Sequence, residues 1–372
     1  MPRRIFQGAA LAALLIACDH EEPFESPDAG ADAPFQPGTP ARLTYNPGKD
    51  LHPGWLADGS AMIYAWEGLA VLPYDRCLGL MAPTGGTRYQ TICDQSAAGE
   101  DSTDLFDEPS ASSDGQLAFL RGRSRPAAVT PDGLGLQVGV LEELPTAREV
   151  RTLPYTAPSG RLHNTVSHIG WLTPTELVYL GDLAAYPRPC GGCPPDTLIS
   201  GLEIVRLDIS GANPVLQIVA GTDYASSVAA AGPDQIFYTL GGDSRVYRRT
   251  LSSGAVDIAH DFGPLGIARD VVVVGDQLVA VVGGRVEFLV HPVFGPVQID
   301  AGGRLVSVDL TSGSESVLPT GAQLLFRRPS LAAVGATTRI VAEGYPFTIA
   351  IIAGAPDTAI SRIPDLYLFE AP

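Results

Sequence analysis

The amino-acid sequence predicts an all-β fold, a six-bladed β-propeller with four-stranded antiparallel blades. Three observations support this prediction: apolar segments are short, turn residues are frequent, and one strand–turn–strand pattern recurs along the chain. The 372 residues include 41 glycines and 32 prolines, spread along the chain at turn positions, which is typical of many short strands. No segment sustains the apolar spacing of three and four residues that an amphipathic helix requires, so long helices are not expected.

The recurring pattern is clearest where an Asp-Gly pair joins two strands. The first copy, 52–64, reads HPGWLADGSAMIY, and a second copy at 108–119 follows 56 residues later when the Asp-Gly pairs are aligned. Glycine tolerates positive φ at such a tight turn, and an apolar strand returns after it. Weaker copies lie at 169–179, 232–238, 275–279 and 329–341.

A second hairpin follows several copies of the pattern. The sequence predicts these hairpins at 202–208 with 215–220, 245–250 with 255–260, and 304–309 with 315–318. Four antiparallel strands repeated every 40 to 60 or so residues are typical of propeller blades, and six copies predict six blades. A β-sandwich and a seven-bladed ring are the alternatives.

These motifs resemble the Pro-x-Trp-x-x-Asp-Gly repeat of TolB-type propellers, which stands here as Pro53-Gly54-Trp55-Leu56-Ala57-Asp58-Gly59. The resemblance extends from Leu43 to Phe369. It implies that 42–45 form an outer strand, that 365–369 form an inner strand, and that their pairing closes the last blade. The known periplasmic member has an additional N-terminal α/β domain without a counterpart here, so its partner-binding function is not carried over.

The N-terminal segment has the pattern of a secretory signal. Arg3 and Arg4 precede an apolar run at 9–17, which is too short to span a bilayer. Leu15-Ile16-Ala17-Cys18 also resembles the bacterial lipobox, and this resemblance implies that Cys18 carries a lipid. An ordinary signal or a buried apolar helix is the alternative interpretation.

Three regions follow from this pattern. Residues 1–17 are the predicted signal peptide and 18–40 a lipidated, disordered acidic tether, because acids, prolines and small residues cannot bury a core. Residues 41–372 are the predicted propeller. The protein is therefore expected in the bacterial cell envelope, lipid-anchored and facing the periplasm or the cell surface.

The net charge of −17 argues against binding to nucleic acid or to anionic lipid surfaces. Membrane association is therefore expected through the lipid anchor alone. Nothing in the sequence indicates self-association, and we expect a monomer.

Four cysteines remain after Cys18, and an even number in an exported chain predicts disulfides. If 77–81 and 88–93 form a hairpin around the turn at 83–86, Cys77 faces Cys93 at a distance that a bridge can span.

Cys190 and Cys193 lie in a proline-rich insertion of the third blade. A Cys-x-x-Cys pair can be redox-active or form half of a zinc site. No second such pair exists in the sequence, and zinc would need ligands such as His163 and His168. A structural disulfide is the favoured interpretation.

The candidate residues at the mouth of the channel are acids of the segment 100–108 and two histidines: Asp101, Asp104, Asp107, Glu108, His163 and His168. Carboxylates bind calcium, but this segment lacks the glycine and the spacing of a known calcium loop. A solvated acidic loop is therefore favoured. The two histidines are interpreted as loop or strand-edge residues.

The sequence contains no Gly-x-Ser-x-Gly elbow, phosphate-binding glycine loop or His-Glu-x-x-His helix. Trp55 and Trp171 occupy equivalent positions in their copies, which favours packing between blades over ligand stacking. No cofactor is predicted. The expected function is non-catalytic binding of a protein or small ligand, and the alternative is a metal-dependent lactonase or lyase with its site in the channel.

Overall fold

The computed structural model describes residues 40–371 with several gaps. The segments outside the description are 1–39, 46–47, 68–75, 87, 94–102, 125–131, 183–201, 264–265, 284–285, 292–294, 301, 320–323, 336, 353–354, 361–362 and 372. The predicted signal, Cys18 and almost all of the tether lie outside the described residues. Asp101, Cys190 and Cys193 also lie outside them.

Within the described residues the chain forms strands, apart from one 3-10 turn at Leu141–Glu143. No helix in this part of the chain is long and apolar enough to cross a membrane. The strands are β1 (Ala41–Arg42), β2 (Lys49–Trp55), β3 (Met62–Glu67), β4 (Arg76–Met81), β5 (Gln90–Ile92), β6 (Thr103–Ala111), β7 (Gln116–Ser124), β8 (Asp132–Val140), β9 (Arg148–Thr152), β10 (Tyr155–Thr156), β11 (Leu162–His163), β12 (Thr165–Thr173), β13 (Glu176–Asp182), β14 (Glu203–Asp208), β15 (Val215–Ile218), β16 (Ala225–Ala230), β17 (Gln235–Leu240), β18 (Arg245–Thr250), β19 (Val256–Asp261), β20 (Ala268–Val274), β21 (Gln277–Val282), β22 (Val286–His291), β23 (Gly295–Asp300), β24 (Arg304–Asp309), β25 (Glu315–Val317), β26 (Leu324–Val334), β27 (Thr337–Ile352), β28 (Ala355–Ile360) and β29 (Asp365–Glu370).

The strands form a β-propeller in which four separate sheets have the strand order of a blade. These sheets are β12-β13-β14-β15, β16-β17-β18-β19, β20-β21-β24-β25 and β26-β27-β29-β1. A further sheet of eight strands contains β2 to β5 and β6 to β9, joined by a parallel bridge between Arg76 and Leu105. The hairpin β22–β23 forms a separate two-stranded sheet between β21 and β24 in the chain, and β28 pairs with the end of β27.

The predicted turns join the first two strands of their sheets. Asp58-Gly59 connects β2 to β3, and Gly59 has a φ of +69°. A Cβ atom at this glycine would lie 2.8 Å from the carbonyl oxygen of Ala333, so glycine is required for both its backbone conformation and the close approach. The predicted second hairpins are confirmed as β14–β15, β18–β19 and β24–β25.

The pairing between the two ends of the propeller is confirmed, but the position of the C-terminal strand is not as predicted. Ala41 and Arg42 of β1 pair with Leu368 and Tyr367 of β29. β29 is not an inner strand, because β27 separates it from β26. The C-terminal strand is therefore third in its sheet, and β1 is the outer strand.

Buried apolar side chains fill the spaces between neighbouring four-stranded sets. Six such clusters occur within the described residues, including one between the two halves of the eight-stranded sheet. Leu136 of β8 and Tyr179 of β13, both fully buried, share one of them. Because strands alternate their side chains between two faces, each inner strand contributes to the clusters on both sides.

Trp55 and Trp171 pack between sheets, as their repetition predicts. The Trp55 Nε1–H donates to the carbonyl oxygen of Ser330 at 3.1 Å, and the Trp171 Nε1–H donates to that of Ser110 at 2.9 Å. The Trp55 indole therefore joins β2 to β26, and the Trp171 indole joins β12 to β6, in each case the first strand of the neighbouring four-stranded set. This combination of packing and hydrogen bonding fits a large aromatic side chain with one polar atom.

The predicted bridge between Cys77 and Cys93 is confirmed, with a Cα–Cα distance of 5.0 Å. It closes a loop with a sequence separation of 16, for which the loss of chain entropy in the unfolded state amounts to about 3 kcal/mol. We expect the double variant C77A/C93A to lose about that free energy of unfolding in urea. Wild-type protein in reductant should show the same loss, and an unchanged midpoint in both would contradict the prediction.

Candidate functional site

The candidate site is built by a β-bulge that recurs in five first strands. In each, the register with the second strand shifts across two residues, a polar one followed by an apolar one. The polar residues are His52 of β2, Glu108 of β6, His168 of β12, Asp270 of β20 and Arg328 of β26. We call these five residues the bulge cluster.

All five residues of the bulge cluster have left-handed backbone conformations, with φ between 47° and 51°. Such conformations cost about 1–3 kcal/mol each for residues other than glycine, and they persist where the surroundings impose them. A bulge changes the direction of its side chain relative to a regular strand. Five side chains that would otherwise lie between sheets are thereby brought together.

Glu108 and Arg328 form the centre of the bulge cluster. Arg328 Nη2 lies 2.9 Å from Glu108 Oε1, and its Nη1 donates to Glu108 Oε2 at 3.4 Å. Burial lowers the pKa of Arg328, but Glu108, Asp270 and Glu343 outweigh burial and leave that pKa above its usual value. Arg328 therefore stays charged although its side chain is largely buried.

The contacts of His168 define which of its nitrogens carries the proton. Its Nδ1 lies 3.0 Å from the Arg328 guanidinium, which can only donate, and 3.1 Å from the Ser167 hydroxyl. Nδ1 must therefore accept, and Nε2–H donates to Asp270 Oδ1 at 3.0 Å. The contacts with Arg328 and Asp270 therefore fix the orientation of the ring and place an N–H on Nε2.

His52 has the opposite environment, with a carboxylate at each ring nitrogen. Its Nδ1 contacts Asp107, and its Nε2 lies 3.4 Å from Glu108 Oε1. Burial lowers the pKa of His52. Asp107 and Glu108 together raise it by more than burial lowers it, so the resulting pKa is above the usual value. The two carboxylates therefore favour the imidazolium form of His52.

A second layer of charges holds Asp107 in place. Arg76 bridges Asp107 and Glu67, and the Arg76 Nη2 to Glu67 Oε2 distance is 2.8 Å. Burial raises the pKa of Asp107, but Arg76 and His52 lower it well below its usual range. Burial likewise raises the pKa of Asp270, but His168 and Arg328 lower it by more, and the resulting pKa is well below the usual range.

Carboxylates also satisfy backbone N–H groups at the bulges. The N–H of His52 donates to Glu343 at 2.7 Å, that of His168 to Glu108 at 3.1 Å, and that of Arg328 to Asp270 at 3.1 Å. Each of these bonds joins residues of two different four-stranded sets. The bulge cluster therefore stabilises the ring of sheets as well as shaping a site, because buried N–H groups need acceptors.

A cavity of about 500 Å³ lies among the first strands and has the bulge cluster in its wall. Six strands line it: β2, β6, β12, β16, β20 and β26. Along the five bulged strands the polar residue comes first and mostly apolar residues follow, β16 contributes only apolar residues, and the lining continues to turn residues such as Ser113, Pro174 and Gly232. The cavity thus has a charged end, formed by the bulge cluster, and mainly apolar side chains along the strands beyond it.

The described residues contain no group of three or more His, Cys, Asp or Glu side chains arranged to hold a metal ion. In the bulge cluster the acidic side chains instead contact Arg328, the histidines and backbone N–H groups.

The structure separates the residues that the sequence proposed for the channel mouth. Glu108 and His168 belong to the bulge cluster, and Asp107 lies behind it against His52. Asp104 lies in β6, in register with Arg123. The interpretation as a solvated acidic loop is wrong for Asp107 and Glu108, because both are buried in a strand where they neutralise cations.

His163 lies in a separate polar network rather than in the wall of the cavity. It is fully buried, with Nε2 at 2.9 Å from Glu203 and Nδ1 at 2.8 Å from the Tyr155 hydroxyl. Burial lowers the pKa of His163 and raises that of Tyr155 to about 12. A Cβ atom at Gly181 would lie 2.2 Å from the imidazole ring, so this glycine makes room for the histidine.

Sequence reasoning missed His52, Asp270 and Arg328. His52, Glu108 and Arg328 each precede the proline of a repeat, as His52-Pro53, Glu108-Pro109 and Arg328-Pro329. The recurrence of a charged or ionisable residue before that proline was the available signal.

Comparison with known proteins shows likeness of fold only. No protein-family model and no curated protein matches the chain. Among solved structures, TolB from Acinetobacter baumannii is 12% identical over 87% of this chain and 67% of its own, with a TM-score of 0.42. A luciferin-regenerating enzyme is 11% identical over 88% and 94%, with a TM-score of 0.48. An oligogalacturonate lyase in complex with manganese is 12% identical over 90% and 93%, with a TM-score of 0.46. The chain is thus similar to these proteins in its propeller fold.

Proposed function

We propose that the protein is an exported, lipid-anchored, six-bladed β-propeller that binds a small ligand in its central channel without catalysis. The observation that carries this proposal is the cavity of about 500 Å³ with the bulge cluster at one end. Small-molecule sites are typically concave, largely apolar and provided with a few convergent polar groups, and they range from about 300 to 1,000 Å³. Five strained bulges that direct polar groups into one cavity fit this description.

The count of six blades rests on the packing and on the cavity. Six first strands line the cavity, and six apolar clusters separate the four-stranded sets. The eight-stranded sheet then consists of two blades whose edges meet at Arg76 and Leu105. In this interpretation β26, β27, β29 and β1 form the last blade, closed by the N-terminal strand.

A bulky side chain that fills the cavity gives a direct test of the proposed site. Val272 of β20 lines the cavity and is partly buried, whereas Val256 of β19 is an exposed residue on an outer strand. We expect native mass spectrometry of the mature chain, purified from the cell envelope, to show a bound small molecule in wild type and V256W. V272W should carry none.

Binding in the channel would be contradicted if wild type showed only the mass of the protein without a ligand and if both variants retained a protein partner. Binding that requires a divalent ion, or turnover of the bound molecule, would instead support the alternative of a metal-dependent lactonase or lyase.

The proposed anchor is tested through Cys18. We expect wild type to incorporate labelled palmitate and to sediment with membranes, because two or three acyl chains give stable anchoring where one does not. C18A should lose the label and the anchoring. The matched control is C77A/C93A, which should keep both, and membrane association of C18A in high salt would contradict the proposal.

A further inference from the structure

We infer that the cavity selects an anionic ligand, a carboxylate on an apolar body, which Arg328 binds through its remaining donors while the charge of His52 lies nearby. This inference rests on the proposed function and names its ligand class. The alternative is an organic cation attracted by the many acids of the chain. The two are distinguished by which charged groups of the bulge cluster remain available to a ligand.

The cations of the bulge cluster are its most accessible side chains. The side chain of His52 is 19% exposed and that of Arg328 is 17% exposed, whereas Glu108 and Asp270 are each 9% exposed. All four line the cavity. A ligand that reaches the charged end therefore meets an imidazolium and a guanidinium before it meets a carboxylate.

The carboxylates already have donors on both oxygens. Glu108 Oε1 faces Arg328 and His52, and its Oε2 accepts from the backbone of His168. Asp270 Oδ1 accepts from His168 Nε2, and Oδ2 accepts from the backbone N–H of Arg328. Carboxylates satisfied in this way have little capacity left for a cationic ligand.

The guanidinium of Arg328, in contrast, keeps donors in reserve. Within the described part of the chain its hydrogen bonds run from Nη1 to Glu108 and His168 and from Nη2 to Glu108. A guanidinium has five N–H groups, so Nε–H and one N–H of Nη2 have no acceptor among these residues. Those two groups lie on one edge of the guanidinium, the arrangement that binds a carboxylate through two parallel hydrogen bonds.

The walls of the cavity favour an apolar body behind the carboxylate. Beyond the charged end the lining includes Ile169, Val228, Val272 and Leu331. The net charge of −17 acts weakly inside the cavity, because salt screens surface charges beyond about 8 Å at physiological ionic strength. Local donors, rather than the charge of the whole chain, therefore decide which ligand is retained.

Three probes with one body and different head groups test the inference: 4-phenylbutyrate, 4-phenylbutan-1-ol and 4-phenylbutylamine. Titration calorimetry uses the full mature chain in nanodiscs, with empty nanodiscs as the blank. We expect the carboxylate to bind at least about tenfold more tightly than the alcohol, because charge-assisted hydrogen bonds exceed neutral ones in strength. The amine should bind more weakly than the alcohol.

Two changes, the variant R328K and a rise to pH 9, should reduce the preference for the carboxylate without plugging the cavity. R328K keeps the charge but loses the paired donors, and we expect the advantage of the carboxylate over the alcohol to fall about tenfold. R248K, at an exposed arginine of β18, should leave it unchanged. If R328K does not fold, wild type at pH 9 serves instead, where loss of the His52 charge should reduce carboxylate binding only.

Each outcome bears on a defined claim. Equal or tighter binding of the alcohol or the amine overturns the inferred ligand class and leaves the proposed binding function standing. An unchanged preference in folded R328K also overturns the inferred class. If none of the three probes binds at millimolar concentration, the inference and the proposed binding function both fail.

Discussion

R328M is expected to lower the free energy of unfolding by about 3–5 kcal/mol, the cost of removing one partner from a buried ion pair. Arg328 contacts Glu108 at 2.9 Å and also lowers the pKa of Asp270. Methionine has a similar length but no charge, so Glu108 would keep a buried carboxylate without its main cation. Urea unfolding at pH 7 measures the loss.

R248M is the matched control for this variant. The side chain of Arg248 is 47% exposed and lies 3.5 Å from Asp257, which is 65% exposed. Exposed ion pairs contribute little to stability, so R248M should unfold like wild type. If R328M and R248M are equally stable, the bulge cluster does not hold the inner strands together.

D107N is expected to lower the free energy of unfolding by about as much as R328M at pH 6, and by less at pH 9. Asp107 contacts both Arg76 and His52, and the amide would leave both cations with a neutral neighbour. The pH dependence follows from His52, whose folded-state pKa is raised despite burial. A raised pKa contributes stability that is full below the unfolded value of about 6.5 and disappears as pH rises through the folded value.

Wild type should therefore lose stability between pH 6 and pH 9, and D107N should lose less. Each unit by which the folded pKa of His52 exceeds the unfolded one contributes about 1.4 kcal/mol to the total stability that wild type loses across this pH range. Thermal unfolding across this pH range measures both proteins. D257N, at an exposed carboxylate, is the control and should follow the wild-type curve. Parallel curves for D107N and wild type would contradict the assigned role of His52.

At acid pH the dependence of stability on pH has the opposite direction. The pKa values of Asp107 and Asp270 are both lowered in the folded state, that of Asp107 by Arg76 and His52 and that of Asp270 by His168 and Arg328. Their contribution is full above the unfolded carboxyl pKa of about 3.9 and is lost as pH falls toward the folded values. Asp182 opposes this trend, because burial raises its pKa.

The repeat, the turns and the closing pair of strands could be predicted because they depend on local patterns. Asp58-Gly59 and Asp114-Gly115 mark tight turns through the conformational freedom of glycine, and Cys77 faces Cys93 because a hairpin turn lies between them. The order of strands in the last sheet was harder to predict. The long strand β27 inserts between β26 and β29, and nothing near Asp365 in the sequence indicates that separation.

The candidate site was only partly predictable, because it depends on contacts between distant strands. Glu108 contacts Arg328 across 220 positions, and His168 contacts Asp270 across 102. Composition led to the acidic segment, and with it to Asp107 and Glu108. It could not show that these acids are buried, since their burial depends on cations contributed by β2, β4 and β26.

The most direct measurement is a crystal structure of the mature chain soaked with 4-(4-bromophenyl)butyrate, and separately with the corresponding alcohol, recorded at the bromine absorption edge. The account predicts an anomalous bromine peak inside the cavity lined by the six first strands, with the ligand head group toward the bulge cluster. Bromine peaks found only on the outer faces of the sheets, with the cavity free of ligand at saturating concentration, would contradict a binding site in the channel.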